Sequence, residues 1–409
     1  MIREDTMWTL KGQTKIRIGK FVAAGGEGII HYAVDERSGM PGVFKVFKQP
    51  SPERLQRTKF LVGQRLNDVS ELFCAPIDYL ESPYFGHFAP LASGPSLEEY
   101  LQSPTASYPD TYKLAIAVSF SFALLGQSGI SHGDPSLNQF HTHSTPGGLE
   151  LRLIDFDNFN APGVPPPMCL GQEDRMAPEL RRVLSGGPIT VPDDYTDRFA
   201  LTTILHDMLL ARHVAAGFDE TREAFERAMS GGWPTDPIFG VPAKDVGGFP
   251  SQILNSELAA MMRGGLSREP GERLSATDWT RTLHRNFSQI WVDPRCGGPS
   301  FIDPSRTRCP ICGQPFPTYR LVFPALHVAV ACDSAALALG RSLLGSAKVS
   351  GLHAVIRRYG QETRLEVHGR NGTYRWNDSQ WMRLEQTVIL NPGDRLRFAD
   401  VECLVEETA

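Results

Sequence analysis

The chain has 409 residues, of which 41% are hydrophobic and 21% charged, so it is long enough for two or three globular domains, each with its own core. Its formal net charge of −5 argues against a nucleic-acid partner recognised through general electrostatics. Seven cysteines, an odd number spread unevenly, do not make the disulfide framework of a small secreted protein.

The N-terminal residues are charged and lack the apolar region of a signal peptide. The most apolar stretch, residues 114–126, is too short to span a bilayer and is typical of a buried helix. We therefore expect a cytoplasmic protein with no membrane partner.

The first part of the chain alternates apolar and polar residues, which predicts strands over residues 15–18, 29–34 and 43–47. A helical pattern begins at Pro52, and residues 110–290 are mostly helical, apart from a stretch around 155–193 that is rich in glycine and proline. A small β-rich lobe before a larger helical lobe predicts an α+β arrangement with a cleft between the lobes.

The C-terminal third changes character twice. Residues 293–318 are rich in proline, glycine and cysteine and are too few to bury a core, which predicts a linker or a metal-stapled knuckle. Short alternating strands then follow at 321–323, 327–331, 354–356, 365–367, 387–390 and 396–398, a spacing typical of a small all-β sandwich. The predicted domains are residues 1–288, 289–318 and 319–409.

Several motifs in the first domain carry chemistry. A glycine-rich turn at 23–30 lets backbone N–H groups approach phosphate oxygens, although a plain β-turn has the same composition. Lys45, about 17 residues further on, is either an exposed strand lysine or a charge for nucleotide phosphates. Motifs further along the chain favour the nucleotide-binding interpretation of both features. These motifs are His132-Gly133-Asp134, Asp155-Phe156-Asp157, Ala177-Pro178-Glu179, Asp197 and Arg273.

This order of motifs over residues 14–288 resembles the protein-kinase superfamily, and the Gly-Gly-Glu-Gly turn is similar to one in some bacterial kinases with accessory modules. The resemblance implies a bilobal α+β kinase fold and a serine/threonine-protein kinase that uses ATP and Mg²⁺ to phosphorylate a protein substrate. It implies that Asp134 orients the substrate hydroxyl, that Lys45 holds the α/β-phosphates and that Asp155 binds Mg²⁺. It also assigns nucleotide contacts to Gly25, Gly26 and Gly28, and structural roles to Glu179, Arg273 and Asp197.

The match to kinases has departures. Where the family has its metal-binding Asn, this chain has Gln139, whose side-chain carbonyl is still a possible Mg²⁺ ligand, with Asn138 one place early. Gly133 and Ser136 replace an Arg and a Lys of the catalytic loop, and Asp157 replaces a Gly. The glutamate that would pair with Lys45 is not evident, because Glu53 is the nearest acid and comes too early.

Residues 155–179 contain no Ser, Thr or Tyr, so phosphorylation of this segment cannot switch the protein on. Two alternatives stay open beside an active protein kinase. Ser136 and Gln139 are compatible with a pseudokinase scaffold, and the His-Gly-Asp loop also resembles that of small-molecule kinases.

Cysteines predict a metal site in the middle segment. Cys309-x-x-Cys312-Gly is half of a zinc-ribbon signature, and Cys296 is a natural third Zn²⁺ ligand. Asp303, His284 and His327 are candidates for the fourth. The alternative is a degenerate ribbon that holds no metal.

The C-terminal segment carries three spaced motifs: Gly340-Arg341-Ser342, Ser350-x-x-His353 and Arg370-Asn371-Gly372. Together they resemble the FHA (forkhead-associated) domain over residues 320–407. The resemblance implies that Arg341 and Ser350 bind a phosphate, that Arg370 and Asn371 hold the peptide beside a phosphothreonine, and that His353 braces the loop. It implies as partners a phosphothreonine-containing protein and, from the kinase resemblance, a metal-dependent protein phosphatase.

Overall fold

The computed structural model describes residues 3–145, 148–167, 169–218, 220–240, 247–293, 296–301, 308–314, 319–332, 336–359 and 362–407. The chain forms two compact units. The first contains residues up to 234 together with 263–280, and the second contains 235–240, 247–262 and 281 onwards. None of the described helices is long and apolar enough to cross a membrane.

An antiparallel sheet of six strands opens the first unit, in the spatial order β1-β2-β3-β4-β6-β5. Its buried core includes Ile16, Ile18, Phe44 and Phe88. The three strands predicted here are confirmed as parts of β2, β3 and β4. The strands are β1 Met7–Thr9, β2 Lys15–Ala24, β3 Gly28–Asp35, β4 Pro41–Phe47, β5 Asp78–Leu80 and β6 Gly86–Pro90.

Helix α1 begins where the sequence predicts. The Ser51 side chain accepts a hydrogen bond from Arg54 N, Pro52 occupies the first turn, and the left-handed Arg65 (φ 49°) ends the helix. The long apolar helix is confirmed as α4. The helices are α1 Pro52–Gln64, α2 Leu66–Val69, α3 Leu97–Leu101, α4 Tyr108–Gln127, α5 Pro178–Leu184, α6 Asp194–Leu210, α7 Arg222–Ala228, α8 Ser256–Gly265 and α9 Ala276–Asn286.

Between α4 and α5 lies an antiparallel hairpin of β7 Phe140–Thr145 and β8 Gly148–Leu153, followed by a long segment without regular structure. That segment agrees with the predicted interruption. A sheet followed by helices also agrees with the predicted α+β order, whereas the assignment to the kinase fold stays a prediction.

The second unit continues with a short hairpin of β9 Ile290–Val292 and β10 Pro299–Phe301, and then a β-sandwich. Its sheets have the orders β12-β11-β20-β19-β16-β17 and β13-β14-β15-β18. The sandwich elements are β11 Tyr319–Phe323, β12 Val328–Ala331, β13 Leu337–Leu339, α10 Arg341–Leu344, β14 Ala354–Tyr359, β15 Glu362–Val367, β16 Thr373–Trp376, β17 Trp381–Leu384, β18 Val388–Ile389, β19 Arg395–Phe398 and β20 Val401–Glu407.

The main apolar core of the sandwich includes the buried Phe323, Leu365 and Phe398 and the cysteines Cys332 and Cys403. These two cysteines are buried and act as small hydrophobic residues. The all-β nature predicted for the C-terminal part is confirmed, and the division of the chain at residues 288 and 318 stays a prediction.

Candidate functional site

Lys45 lies between two carboxylates. Its Nζ is 3.0 Å from Asp155 Oδ1 and 2.5 Å from Asp157 Oδ2, and only 14% of the Lys45 side chain and 6% of the Asp157 side chain are exposed. Burial alone would lower the pKa of Lys45, but the two carboxylates outweigh it and raise the pKa above its usual value. Burial likewise opposes ionisation of Asp157, yet Lys45 holds its pKa below the ordinary value. The site therefore contains a cation flanked by two anions.

The sheet and the hairpin bring these groups together. On β4, Lys45 pairs with Ile30 on one side and with His87 on the other. After β8 ends, the backbone at Asp155 adopts a left-handed conformation (φ 59°), which Asp tolerates better than most residues. Asp155 and Asp157 lie two residues apart in this turn, and both carboxylates reach the lysine.

A cavity of about 500 Å³ adjoins Lys45 and Asp155. Its apolar walls include Val22 and Val43 from the sheet and Phe156 from the turn after β8. The cavity has the size and the mostly apolar lining of a small-molecule site, with charged groups at its edge.

Asp134 follows α4 and accepts two hydrogen bonds. The backbone N–H of Gln172 donates to its Oδ1 at 2.9 Å, and Asn158 Nδ2 donates to its Oδ2 at 3.3 Å. Burial raises the pKa of Asp134 to about 6, helped by the nearby Asp155 and opposed by these two hydrogen bonds. A carboxylate with such a pKa can accept a proton near neutral pH.

Hydrogen bonds to a buried carboxylate fix the loop that carries Asp134. Asp197 on α6 accepts hydrogen bonds from His132 N at 2.5 Å and from Gly133 N at 3.0 Å. Gly133 has a positive φ of 81°, and a Cβ there would lie 2.3 Å from Asn158 O. The glycine at this position, noted as a departure from the kinase pattern, is therefore required by the backbone of this loop.

Glu179 and Arg273 form a buried bidentate pair. Arg273 Nη1 and Nη2 donate to the two carboxylate oxygens of Glu179, each at 2.7 Å, and the arginine side chain is 0% exposed. Arg273 Nη1 also donates to Tyr195 O, at the start of α6. This contact between the predicted partners ties the first turn of α5 to the helix that carries Asp197.

The glycine-rich turn connects β2 and β3 beside this site. Gly28 packs so closely that a Cβ would lie 2.7 Å from Val46 O, whereas Gly25 and Gly26 have open space around them. Glu27 forms an ion pair with Arg54 of α1 at 3.5 Å. The space beside Gly25 and Gly26 leaves room for a phosphate, but Gly25 N already donates to Gly28 O at 3.0 Å. The phosphate contact stays a prediction.

The amides of Asn138 and Gln139 are already hydrogen-bonded. Gln139 Oε1 accepts from Ser136 N at 2.8 Å, and Asn138 Nδ2 donates to Glu98 Oε2 on α3. Their predicted roles as nucleotide or Mg²⁺ ligands are untested, and a role for Gln139 would require its oxygen to bind the metal in addition to Ser136.

Four potential metal ligands cluster in the second unit. Asp293, Cys296, Cys309 and Cys312 each place a ligand atom within 4.8 Å of the other three. Of the fourth ligands considered from sequence, His284 and His327 are exposed and outside this cluster, and Asp303 lies outside the described residues. Asp293 occupies the fourth position instead.

The cluster is built from two matching turns. Asp293 N donates to Gly298 O and Gly297 N donates to Asp293 O, at 3.0 and 2.7 Å. In the same way Cys309 N donates to Gln314 O and Gly313 N donates to Cys309 O, at 2.7 and 2.9 Å. Gly297 (φ 66°) and Gly313 (φ 70°) have the same left-handed backbone. Asp293 therefore stands where the second turn has its first cysteine.

The predicted phosphopeptide residues surround one end of the sandwich. Arg341 Nε donates to Val349 O at 2.9 Å, and no described residue pairs with its two Nη atoms. Ser350 Oγ accepts from Arg370 N at 3.3 Å, and Asn371 Nδ2 donates to Lys348 O at 2.6 Å. The structure thus brings the three motifs together, with Arg341, Arg370 and Asn371 exposed.

His353 lies beneath these residues and is completely buried. Its Nδ1 accepts from Ser350 N at 3.2 Å, and its Nε2 is 3.0 Å from Gly372 O. Gly369 packs on the ring, where a Cβ would lie 2.3 Å from His353 Cε1. The imidazole therefore links the two loops, in agreement with its predicted bracing role.

Sequence reasoning missed several contacts. It did not assign Asp157 to Lys45, Asn158 or Gln172 to Asp134, or Asp293 to the cysteines. Only Asp293 had a usable signal, because Asp293-x-x-Cys296-Gly repeats the spacing of Cys309-x-x-Cys312-Gly.

Comparison with protein-family models matches residues 337–399 to the FHA domain. The matched segment contains Arg341, Ser350, Arg370 and Asn371. Comparison with curated proteins found no match. The C-terminal sandwich thus contains an FHA domain.

Proposed function

We propose that this chain is a serine/threonine-protein kinase that uses ATP and Mg²⁺, and that its FHA domain binds phosphothreonine-containing proteins. One observation supports the kinase proposal most strongly: Lys45 and Asp155 form an ion pair at the edge of a cavity, near Asp134. These residues are far apart in the sequence, and each has the type that phosphoryl transfer needs.

The side chains present fit a nucleotide and its metal. The apolar cavity walls suit an adenine ring, and Lys45 Nζ offers a cation to the phosphates. The Asp155 carboxylate is 39% exposed, so it is accessible as a hard oxygen ligand. When bound, Mg²⁺ would neutralise charge on the phosphate oxygens.

Asp134 performs the proton chemistry in this proposal. Its Oδ1 and Oδ2 are oriented by Gln172 and Asn158, and its raised pKa of about 6 leaves it ionised but basic at neutral pH. It would orient a Ser or Thr hydroxyl and accept its proton as the phosphoryl group is transferred.

A scaffold without phosphoryl transfer is the second candidate, and one observation favours it. Gln139 and Asn138, which would supply the remaining metal ligand, are engaged with Ser136 and Glu98. The loop also has no lysine at Ser136 to stabilise the γ-phosphate.

The FHA domain supports a phosphothreonine-binding function. The Nη atoms of Arg341 are available for bidentate contact with a phosphate, and Ser350 Oγ lies in the adjacent loop. Replacing Arg341 by Ala should lower the affinity for a phosphothreonine peptide by at least about thirtyfold, measured by fluorescence anisotropy. Arg395→Ala, in a strand away from these loops, is the control that should retain binding; equal losses in both variants would contradict the assignment.

We also propose that the cysteine cluster binds Zn²⁺ through Asp293, Cys296, Cys309 and Cys312. Thiolates and carboxylates are both zinc ligands, and three thiolates with one carboxylate supply the four ligands of a closed tetrahedral site. Trp291 and Cys309 pack on Ala329 and Ala331 of β12, so the metal would fasten both turns to the sandwich. About one zinc per chain, lost in Cys309→Ser and retained in Cys403→Ser, is the expected result of elemental analysis. Metal-free wild-type protein that is fully folded would contradict this assignment.

The kinase proposal is tested by incubating the protein with Mg²⁺ and γ-labelled ATP, alone and with a basic protein substrate, beside Asp155→Ala. Label on protein hydroxyls that is lost in the variant supports a protein kinase. ATP binding without transfer supports the scaffold, and labelling of a metabolite in preference to protein supports a small-molecule kinase.

A further inference from the structure

A phosphate-binding lysine in a kinase site is held by a carboxylate, which protein kinases take from a helix packed beside the sheet. The helix in the corresponding place along this chain, α1, does not provide one. Its acidic residue, Glu53, is exposed, and its buried residues are Arg57, Thr58 and Leu61. Carboxylates in contact with Lys45 come from Asp155 and Asp157 instead.

The two carboxylates have different surroundings. Asp155 is 39% exposed, so one of its oxygens can contact solvent or a metal, whereas Asp157 is almost completely enclosed and is 2.5 Å from Lys45 Nζ. An enclosed carboxylate next to an ammonium group is suited to fixing that group, since few other partners can reach it.

Helix α1 contributes a cation to the same segment. Arg57 Nη2 donates to Asp157 O at 2.5 Å, and Nη1 donates to Pro165 O at 3.0 Å. Its guanidinium also lies 4.6 Å from the centre of the Phe159 ring. The helix therefore anchors the backbone that carries Asp157. It does so with a cation, whereas the helix of protein kinases offers an anion, its glutamate, to the lysine.

We infer that Asp157 is the positioning residue for Lys45, in place of a helix glutamate. This inference rests on the proposed function. The lysine and its carboxylate belong to β4 and to the turn after β8, and α1 contributes to the pair only through Arg57, which holds the backbone at Asp157.

Nucleotide affinity measured with and without Mg²⁺ separates this role from metal binding. Asp157→Asn should weaken ATP binding about tenfold both in Mg²⁺ and in EDTA, because it acts through Lys45. Asp155→Asn should weaken binding far more in Mg²⁺ than in EDTA, because it removes a metal ligand while Asp157 still holds Lys45. In a Lys45→Met background, Asp157→Asn should cause no further loss, since the group that it positions is gone.

A loss confined to Mg²⁺, or a full additional loss in the Lys45→Met background, would overturn the inference and make Asp157 a metal ligand or a general structural residue. Thermal unfolding of the four proteins (wild type, each single variant and the double variant) gives a readout that needs no nucleotide. The double variant should be more stable than the sum of the single losses predicts, since neither buried charge is left alone. Wild-type protein that binds no nucleotide would refute the proposed function, and the unfolding cycle would still report on the ion pair.

Discussion

Removal of Arg273 should destabilise the first unit strongly. The side chain is fully buried, makes two 2.7 Å hydrogen bonds to Glu179, and donates further to Ser267 O and Tyr195 O. Replacing it by Met leaves the Glu179 carboxylate buried without its partner, which typically costs about 3–5 kcal/mol. Since Arg273 also fixes the start of α6, we expect lower activity as well, through the helix that carries Asp197.

Urea unfolding monitored by tryptophan fluorescence measures this loss, with each transition fitted separately because the chain has two units. The control is Arg222→Met: this side chain is 63% exposed and pairs with Glu173 and Glu226, so its loss should leave the unfolding midpoint almost unchanged. A loss below about 1 kcal/mol for Arg273→Met, or equal effects in both variants, would refute the reasoning that burial makes this pair strong.

Three further outcomes are expected. If Asp134 is the base, kcat/KM falls about tenfold per pH unit below pH about 6, because the carboxylate must be ionised to accept a proton; a profile flat down to pH 5 would contradict this. Gly340→Ala should cost about 1–3 kcal/mol in unfolding of the C-terminal unit, because a Cβ would lie 1.9 Å from Gly351 O; an unchanged midpoint would count against the packing described. Cys309→Ser should lower the melting temperature of that unit and make it insensitive to chelators, whereas the wild type should lose stability in EDTA.

Local patterns in the sequence were sufficient for most of the elements. Alternation marked β2, β3 and β4, and the Ser51-Pro52 pair marked the start of α1, because these signals depend on neighbouring residues only. Strands β13, β16, β17 and β20 were not predicted, although the sandwich that contains them was.

Contacts between distant residues were harder to predict. Asp157 and Lys45 are 112 positions apart, and the kinase resemblance directed attention to helix acids such as Glu53. The hydrogen bond from Arg57 of α1 to Asp157 O results from tertiary packing, and no periodic pattern in the sequence predicts it. The same holds for Gln172, which reaches Asp134 through its backbone N–H, a group that every residue but proline has.

Asp293 is an instructive intermediate case. The cysteine spacing predicted a zinc site with an unassigned fourth ligand, and attention went to His and Asp residues elsewhere. The repeated pattern of a ligand, two residues, a cysteine and a glycine would have identified Asp293, because both turns need the same left-handed glycine.

The central claim is that Asp134 and its neighbours transfer the γ-phosphate of ATP to protein hydroxyls, and one rate comparison tests it most directly. Initial rates of labelled phosphate incorporation into a basic protein substrate would be measured for the wild type and for Asp134→Asn, with binding of Mg²⁺–ATP confirmed for both. Loss of the base should lower the rate by about 10²–10⁴-fold while ATP affinity is kept. Equal rates for the two proteins, or no transfer by nucleotide-bound wild type, would contradict the account.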